Sequence, residues 1–362
     1  MFGILVFRVG WEISLKGQVK EGVTEDLKRK GMAGKISLGE HFVVGYRDVE
    51  LMGELIKRGW VGGVYVSERN VRGKSIEEVR GEIEGFQQVA KDNGLLPLMV
   101  MTDQEGGVVE KLSPPLEERV SLGSLAAEGK WERLVEDYAQ AQAEELVGLG
   151  VNVNLAPVVD LMPERTYRDR YTKLSKRAIS DDPYVVTQMA RVYCRELVKN
   201  GVMPVLKHFP GLGKAIGDTH MRPVRMRVEL SELRQEDWVP FRAILESKKA
   251  FLMLSHVILT QVDGEHAVSG SKKIVEGIIR EEWGYDGVVI TDDLGMGAVK
   301  EEVEKVAVNG LNAGVDILLV VDGEEVYFKV FESVIKAWER GDLDEEKLWE
   351  SQQRLRWVRA RL

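Results

Sequence analysis

Ile274-Val275-Glu276-Gly277-Ile278-Ile279-Arg280-Glu281-Glu282-Trp283-Gly284-Tyr285-Asp286-Gly287-Val288-Val289-Ile290-Thr291-Asp292-Asp293 contains one complete helix-to-strand passage. Ile274, Val275, Ile278, Ile279 and Trp283 recur at helical spacing on one face, and Gly284 stands where a C′ stop belongs. Val288–Ile290 is a short aliphatic run without polar alternation, as a parallel strand covered on both faces requires. Beyond it come Thr291-Asp292-Asp293, where Asp293 is expected to cap a helix beginning near Leu294.

The same alternation runs along the whole chain. Further aliphatic runs stand at Phe42–Tyr46, Val64–Val66, Leu98–Met101, Val151–Leu155, Val202–Leu206, Phe251–Leu254 and Ile317–Val321, each bounded by Gly, Pro, Asp or Asn. Amphipathic segments separate them; Val185, Met189 and Val192, for example, share a face ahead of the Val202 run. Eight strand-then-helix units predict an α/β fold of the TIM (β/α)8 type in a single domain. A doubly wound open sheet has the same periodicity and is the alternative. Residues 1–40 are expected to form an N-terminal strand and covering segment, 41–340 the barrel, and 341–362 a helix packed on it, with Leu348, Leu355 and Val358 as its apolar positions.

Composition narrows the function. A formal net charge of −9 without a basic block argues against nucleic acid and anionic membrane as main partners. No apolar run approaches the roughly 18 residues that span a bilayer. Met1–Arg8 lacks a basic n-region and a cleavage site, and reads as a strand. Cys194 is the only cysteine, which excludes an intramolecular disulfide and a thiolate metal cluster; it is expected to be inert core. A cytoplasmic protein is expected, acting as a monomer or weak homodimer.

The strand ends carry the chemistry. Thr102-Asp103-Gln104-Glu105-Gly106-Gly107, Ala156-Pro157-Val158-Val159-Asp160, Lys207-His208, Ser255-His256 and Thr291-Asp292-Asp293 all follow aliphatic runs, so in a barrel they share the rim that holds active sites. Asp292 is the best nucleophile candidate. Asp218 and His220, two residues apart after the Gly211-Leu212-Gly213 loop, form an acid–imidazole pair fitted to general acid–base work. The loop glycines should let it carry His220 in and out of a site. His208, His220, His256 and Asp292 could also build a metal site, but neither a His-x-His pair at the first strand nor an HExxH motif supports one. No cofactor is implied.

Together these motifs resemble the family 3 glycoside hydrolases, in particular the compact single-barrel bacterial β-N-acetylglucosaminidases. The likeness rests on Asp103–Gly107, Ala156–Asp160, Lys207–Gly213, Asp218–His220 and Thr291–Met296, and runs from about residue 38 to about 322. It implies a carbohydrate substrate and no metal. Asp292 then matches the nucleophile that forms a covalent glycosyl–enzyme, and His220 with Asp218 matches the acid/base dyad that replaces a second carboxylate. Asp103, Lys111, Arg177, Lys207 and His208 match positions that bind sugar hydroxyls. Three departures stand out: Leu212 where the family usually has His, Lys111 where it usually has Arg, and Ser-Lys-Arg-Ala-Ile around Arg177 where the arginine is usually followed by Ser-Phe. The resemblance implies a retaining exo-β-N-acetylglucosaminidase for peptidoglycan or chitin fragments. Alternatives are another sugar specificity, a phosphorylase, or a sugar-binding barrel with weakened turnover.

Overall fold

The computed structural model describes residues 36–126, 131–162, 172–300, 302–322 and 324–362. The strand expected near the start of the chain, within 1–35, lies outside them.

Eight strands form one parallel sheet: β1 Phe42–Gly45, β2 Gly63–Tyr65, β3 Met99–Thr102, β4 Val153–Asn154, β5 Met203–Phe209, β6 Phe251–Leu254, β7 Val289–Thr291 and β8 Leu318–Val320. Their order is β7-β6-β5-β4-β3-β2-β1-β8. A parallel bridge between Ile290 and Ile317 joins the two ends, so the sheet closes on itself as a barrel rather than opening into a doubly wound sheet. A helix follows every strand: α1 Val49–Lys57, α2 Ile76–Asp92, α3 Trp131–Leu149, α4 Pro183–Lys199, α5 Trp238–Leu245, α6 Lys273–Glu282 (wound as a π-helix), α7 Val303–Ala313 and α8 Glu324–Arg340.

Successive residues of each strand point to opposite faces, and both faces are buried. Val43, Tyr65, Met99, Met101, Val153, Val205, Met253, Ile290 and Leu319 fill the barrel interior. Phe42, Val44, Val64, Val100, Leu206, Leu252 and Leu318 face the helices. This double burial explains why the strands read as continuous aliphatic runs. Gly284 ends α6 at φ 62°, as its position predicted. Cys194 is buried, and burial pushes its thiol pKa up, as inert core requires.

The charged segment near the chain end forms α9, Glu345–Arg359. Leu355 and Val358 enter the interior cluster, so α9 stoppers the end of the barrel opposite the strand C-termini. Arg359 donates from Nε to the Pro97 carbonyl and from Nη2 to the Leu96 carbonyl, both at 2.8 Å, at the entry to β3. Arg354 and Arg280 reach the two oxygens of the fully buried Asp316 at 2.9 and 2.7 Å, fixing the start of β8.

Two local expectations are corrected. β5 does not stop at Leu206 but continues through Phe209, with its pairing to β6 shifting between Leu206 and Phe209. Lys207 and His208 thus sit in a bulge, a device that re-aims side chains. Second, no helix begins at Leu294; α7 starts at Val303. Asp293 caps a turn instead, its Oδ1 accepting from Gly295 N at 3.0 Å and from Val321 N at 2.8 Å, which ties the β7 loop to the end of β8.

Candidate active site

At the strand C-termini the structure assembles a buried ionic network. Asp103 follows β3; its Oδ2 accepts from the Tyr65 hydroxyl at 2.7 Å and its Oδ1 from Lys207 Nζ. Lys207 also reaches Glu105 Oε1 at 2.6 Å. Arg177, in the loop before α4, grips Glu105 with both arms of its guanidinium, at 2.8 Å from Nε and 2.7 Å from Nη2. Its Nη1 donates to the Thr172 carbonyl at 2.9 Å. Burial alone would raise the Glu105 carboxyl, but Arg177 and Lys207 overcome it and hold it down at about 2. The same pairing keeps Lys207 charged: burial lowers its pKa, Asp103 and Glu105 raise it, and the net direction is up.

His208 joins this network from the bulge. Its Nδ1 faces Asp160 Oδ2 at 2.7 Å and its Nε2 lies 3.3 Å from Arg177 Nη2. A guanidinium only donates, so Nε2 accepts and Nδ1–H points at Asp160. Asp160 takes two further bonds, from His208 N at 3.1 Å and Leu212 N at 2.7 Å, and so sets the path of the loop after β5.

Asp292 stands half-buried just past β7. Burial pushes its carboxyl up, yet His208, His256 and His220 and a hydrogen bond from Asp293 N at 2.9 Å outweigh it, leaving the group below its ordinary value. His220 hangs over this site on the Gly211–Gly217 loop. Its Nδ1 meets Asp218 Oδ1 at 2.8 Å, while the side chain is 46% exposed and its Nε2 has no partner among the described residues. Asp218 also accepts from His220 N at 3.0 Å and Thr172 N at 3.0 Å. Burial opposes its ionisation, but these bonds win and its pKa is lowered. The loop is docked rather than loose: Gly297 N donates to the His220 carbonyl at 3.0 Å and Ala298 N to the Thr219 carbonyl at 2.9 Å.

Of the residues expected here, Asp103, Arg177, Lys207, His208, Asp218, His220 and Asp292 are brought to one mouth. Lys111 is not part of the network. Its backbone N–H donates to the Asp103 carbonyl at 3.0 Å, but its half-buried ammonium has no hydrogen-bond or ion-pair partner among the described residues. His256 is a prop: it lies between Ser269 Oγ at 2.7 Å and the Asp293 carbonyl at 3.1 Å, fully buried, and burial lowers its pKa. Tyr65, Glu105 and Asp160 are the contributors that motif reading left without roles. Glu105 was findable, because it sits two residues from Asp103 at the end of an extended run. Tyr65 looks like any core strand residue.

A model of the glycosyl hydrolase family 3 N-terminal domain matches residues 35–358. The chain belongs to this family. The β-hexosaminidase of Stenotrophomonas maltophilia strain R551-3 is 32% identical over 303 residues, covering 78% of this chain and 84% of that protein. The β-hexosaminidase LpqI of Mycobacterium tuberculosis is 31% identical over 297 residues, covering 80% and 73%. Among solved structures, a family 3 β-N-acetylglucosaminidase from Paenibacillus sp. str. FPU-7 superposes with a TM-score of 0.81 at 27% identity, over 91% of this chain but only 62% of that one. A family 3 glycosyl hydrolase from Mycobacterium smegmatis gives 0.79 at 29% identity, covering 90% of this chain and 96% of that one. The family 3 barrel therefore supplies the frame for the mouth described above. No helix among the described residues is long and apolar enough to cross a membrane.

Proposed function

We propose that this family 3 glycoside hydrolase is a retaining exo-β-N-acetylglucosaminidase. The observation that carries the reading is the pairing of Asp292, held ionised below its ordinary pKa, with His220, whose Nδ1 is anchored on Asp218 and whose Nε2 is open. In the first step the Asp292 carboxylate bonds to the anomeric carbon while His220 Nε2–H protonates the departing glycosidic oxygen. In the second, the now neutral imidazole takes a proton from water as its oxygen attacks the anomeric carbon, releasing the sugar and restoring Asp292. Asp103, Lys207 and Arg177 hold the sugar hydroxyls with charge-assisted hydrogen bonds, and His208, its ring fixed between Asp160 and Arg177, lines the same mouth. The hexosamine preference is supported by the activities named for the similar proteins. Fragments of peptidoglycan or chitin would present that sugar at a non-reducing end.

Aryl β-N-acetylglucosaminide hydrolysis tests this directly. Release of the aglycone, with retained configuration in the first-formed sugar and loss of turnover in Asp292→Ala, is expected. Cleavage of an aryl β-glucoside alone would overturn the sugar assignment. A sugar 1-phosphate formed when phosphate is added would overturn hydrolysis in favour of phosphorolysis.

A further inference from the structure

The loop that carries Asp218 and His220 contains one side chain able to form an ion pair, Lys214; its other residues from 211 to 217 are Gly, Leu, Ala and Ile. Lys214 Nζ lies 2.9 Å from Glu232 Oε1 and 3.0 Å from Asp237 Oδ2, and it also bonds Glu236 Oε2. Glu232 belongs to the short helix Leu230–Gln235, and Glu236 and Asp237 occupy the corner between that helix and α5. Three carboxylates from one corner thus converge on one ammonium from the loop.

Asp237 is the inner member. It is 1% exposed and sits directly beneath Gly211: a Cβ built there would stand 2.9 Å from Asp237 Cβ and 3.0 Å from Oδ1. Gly211 adopts φ 104°, so both the backbone angle and the contact demand glycine. Alongside, Phe209 packs on Trp238 and Trp283 with ring centres 5.5 and 5.3 Å apart, fixing the base of the loop to the same corner. The loop is therefore held at both ends by other contacts, Asp160 on Leu212 N and Gly297 and Ala298 on the dyad's backbone; between them Leu212 and Ala215 pack on the core, and Lys214 supplies the segment's ion pairs.

We propose that Lys214 is a positioning residue whose clamp on Glu232, Glu236 and Asp237 holds the Asp218–His220 pair where it delivers its proton. The proposal rests on His220 being the acid of the reaction. Severing the clamp would leave sugar binding and Asp292 in place, while His220 is delivered less often to the departing oxygen. The defect should then scale with how much the leaving group needs a proton.

The test compares Lys214→Met and Lys214→Arg with the parent protein on phenyl and 2,4-dinitrophenyl β-N-acetylglucosaminides. For Lys214→Met, kcat/KM is expected to fall about tenfold or more on the phenyl substrate and less than about threefold on the dinitrophenyl one, whose departure needs little protonation; Lys214→Arg should recover most of the loss. Equal losses on both substrates, or none, would overturn the proposal. Should Lys214→Met not fold, the double variant Glu232→Gln/Glu236→Gln, both partners being about half exposed, carries the same comparison. If the parent protein cleaves no aryl glycoside, the proposed function fails instead. The clamp is then judged by hydrogen exchange over residues 211–220, which should quicken in Lys214→Met; unchanged exchange would refute it.

Discussion

Replacing Glu105 by Gln tests the ionic network most sharply. The amide keeps the size and one acceptor of the carboxylate but leaves Lys207 and Arg177, both buried, short of an anion. The magnitude follows from the carboxyl itself. Arg177 and Lys207 hold it at about 2 against an ordinary 4.5, and at about 1.4 kcal/mol per pH unit this amounts to about 3 kcal/mol of folded-state stabilisation at neutral pH. The group's pKa is depressed by folding, so this stability is present above pH 4.5 and drains away as pH falls towards 2. Guanidinium or thermal denaturation should therefore place Glu105→Gln about 3 kcal/mol below the parent at pH 7, with the gap narrowing to about 1 kcal/mol near pH 3. Activity should fall with it, because the network orients Lys207 and Arg177. A gap absent at pH 7, or equally wide at pH 3, would refute the claim that ionised Glu105 holds the two cations.

Other expectations follow from the same reasoning. Burial raises the Asp237 carboxyl to about 6 from 3.8, so its ionisation costs the fold about 3 kcal/mol as pH rises through that interval; Asp237→Asn should melt higher than the parent at pH 8, and the advantage should vanish below pH 4. Leu355→Ala, which opens a void where α9 stoppers the barrel, should cost about 2–5 kcal/mol in denaturant unfolding while leaving KM unchanged. Arg177→Lys preserves charge but loses the two-armed grip on Glu105; kcat/KM should drop about tenfold or more, and a fully active variant would show that the fork geometry is irrelevant.

The barrel was legible because every strand is buried on two faces and so appears as an unbroken aliphatic run. Helix stops such as Gly284 were equally plain. Strand ends were less so: β5 extends past Leu206 because Lys207 and His208, polar in sequence, are buried against Asp103, Glu105 and Asp160. Those partners lie far away in sequence, as Glu105 does from Arg177, 72 residues on, so no local pattern announces them. Asp293 misled for a similar reason. Its capping geometry is real, but one of the two groups it caps is Val321 N, a strand away. The site's charged types and their order could be read from sequence; which charge neutralises which could not, since barrel closure decides it.

Asp160 has a consequence for how this site can diverge. It grips residue 212 through the peptide N–H, a group every residue but proline supplies, so the bond is blind to the side chain there. At this point the course of the loop is thus set from position 160 through the backbone. An exchange of Leu for His at 212 changes what packs on the core there but leaves the peptide N–H that Asp160 holds.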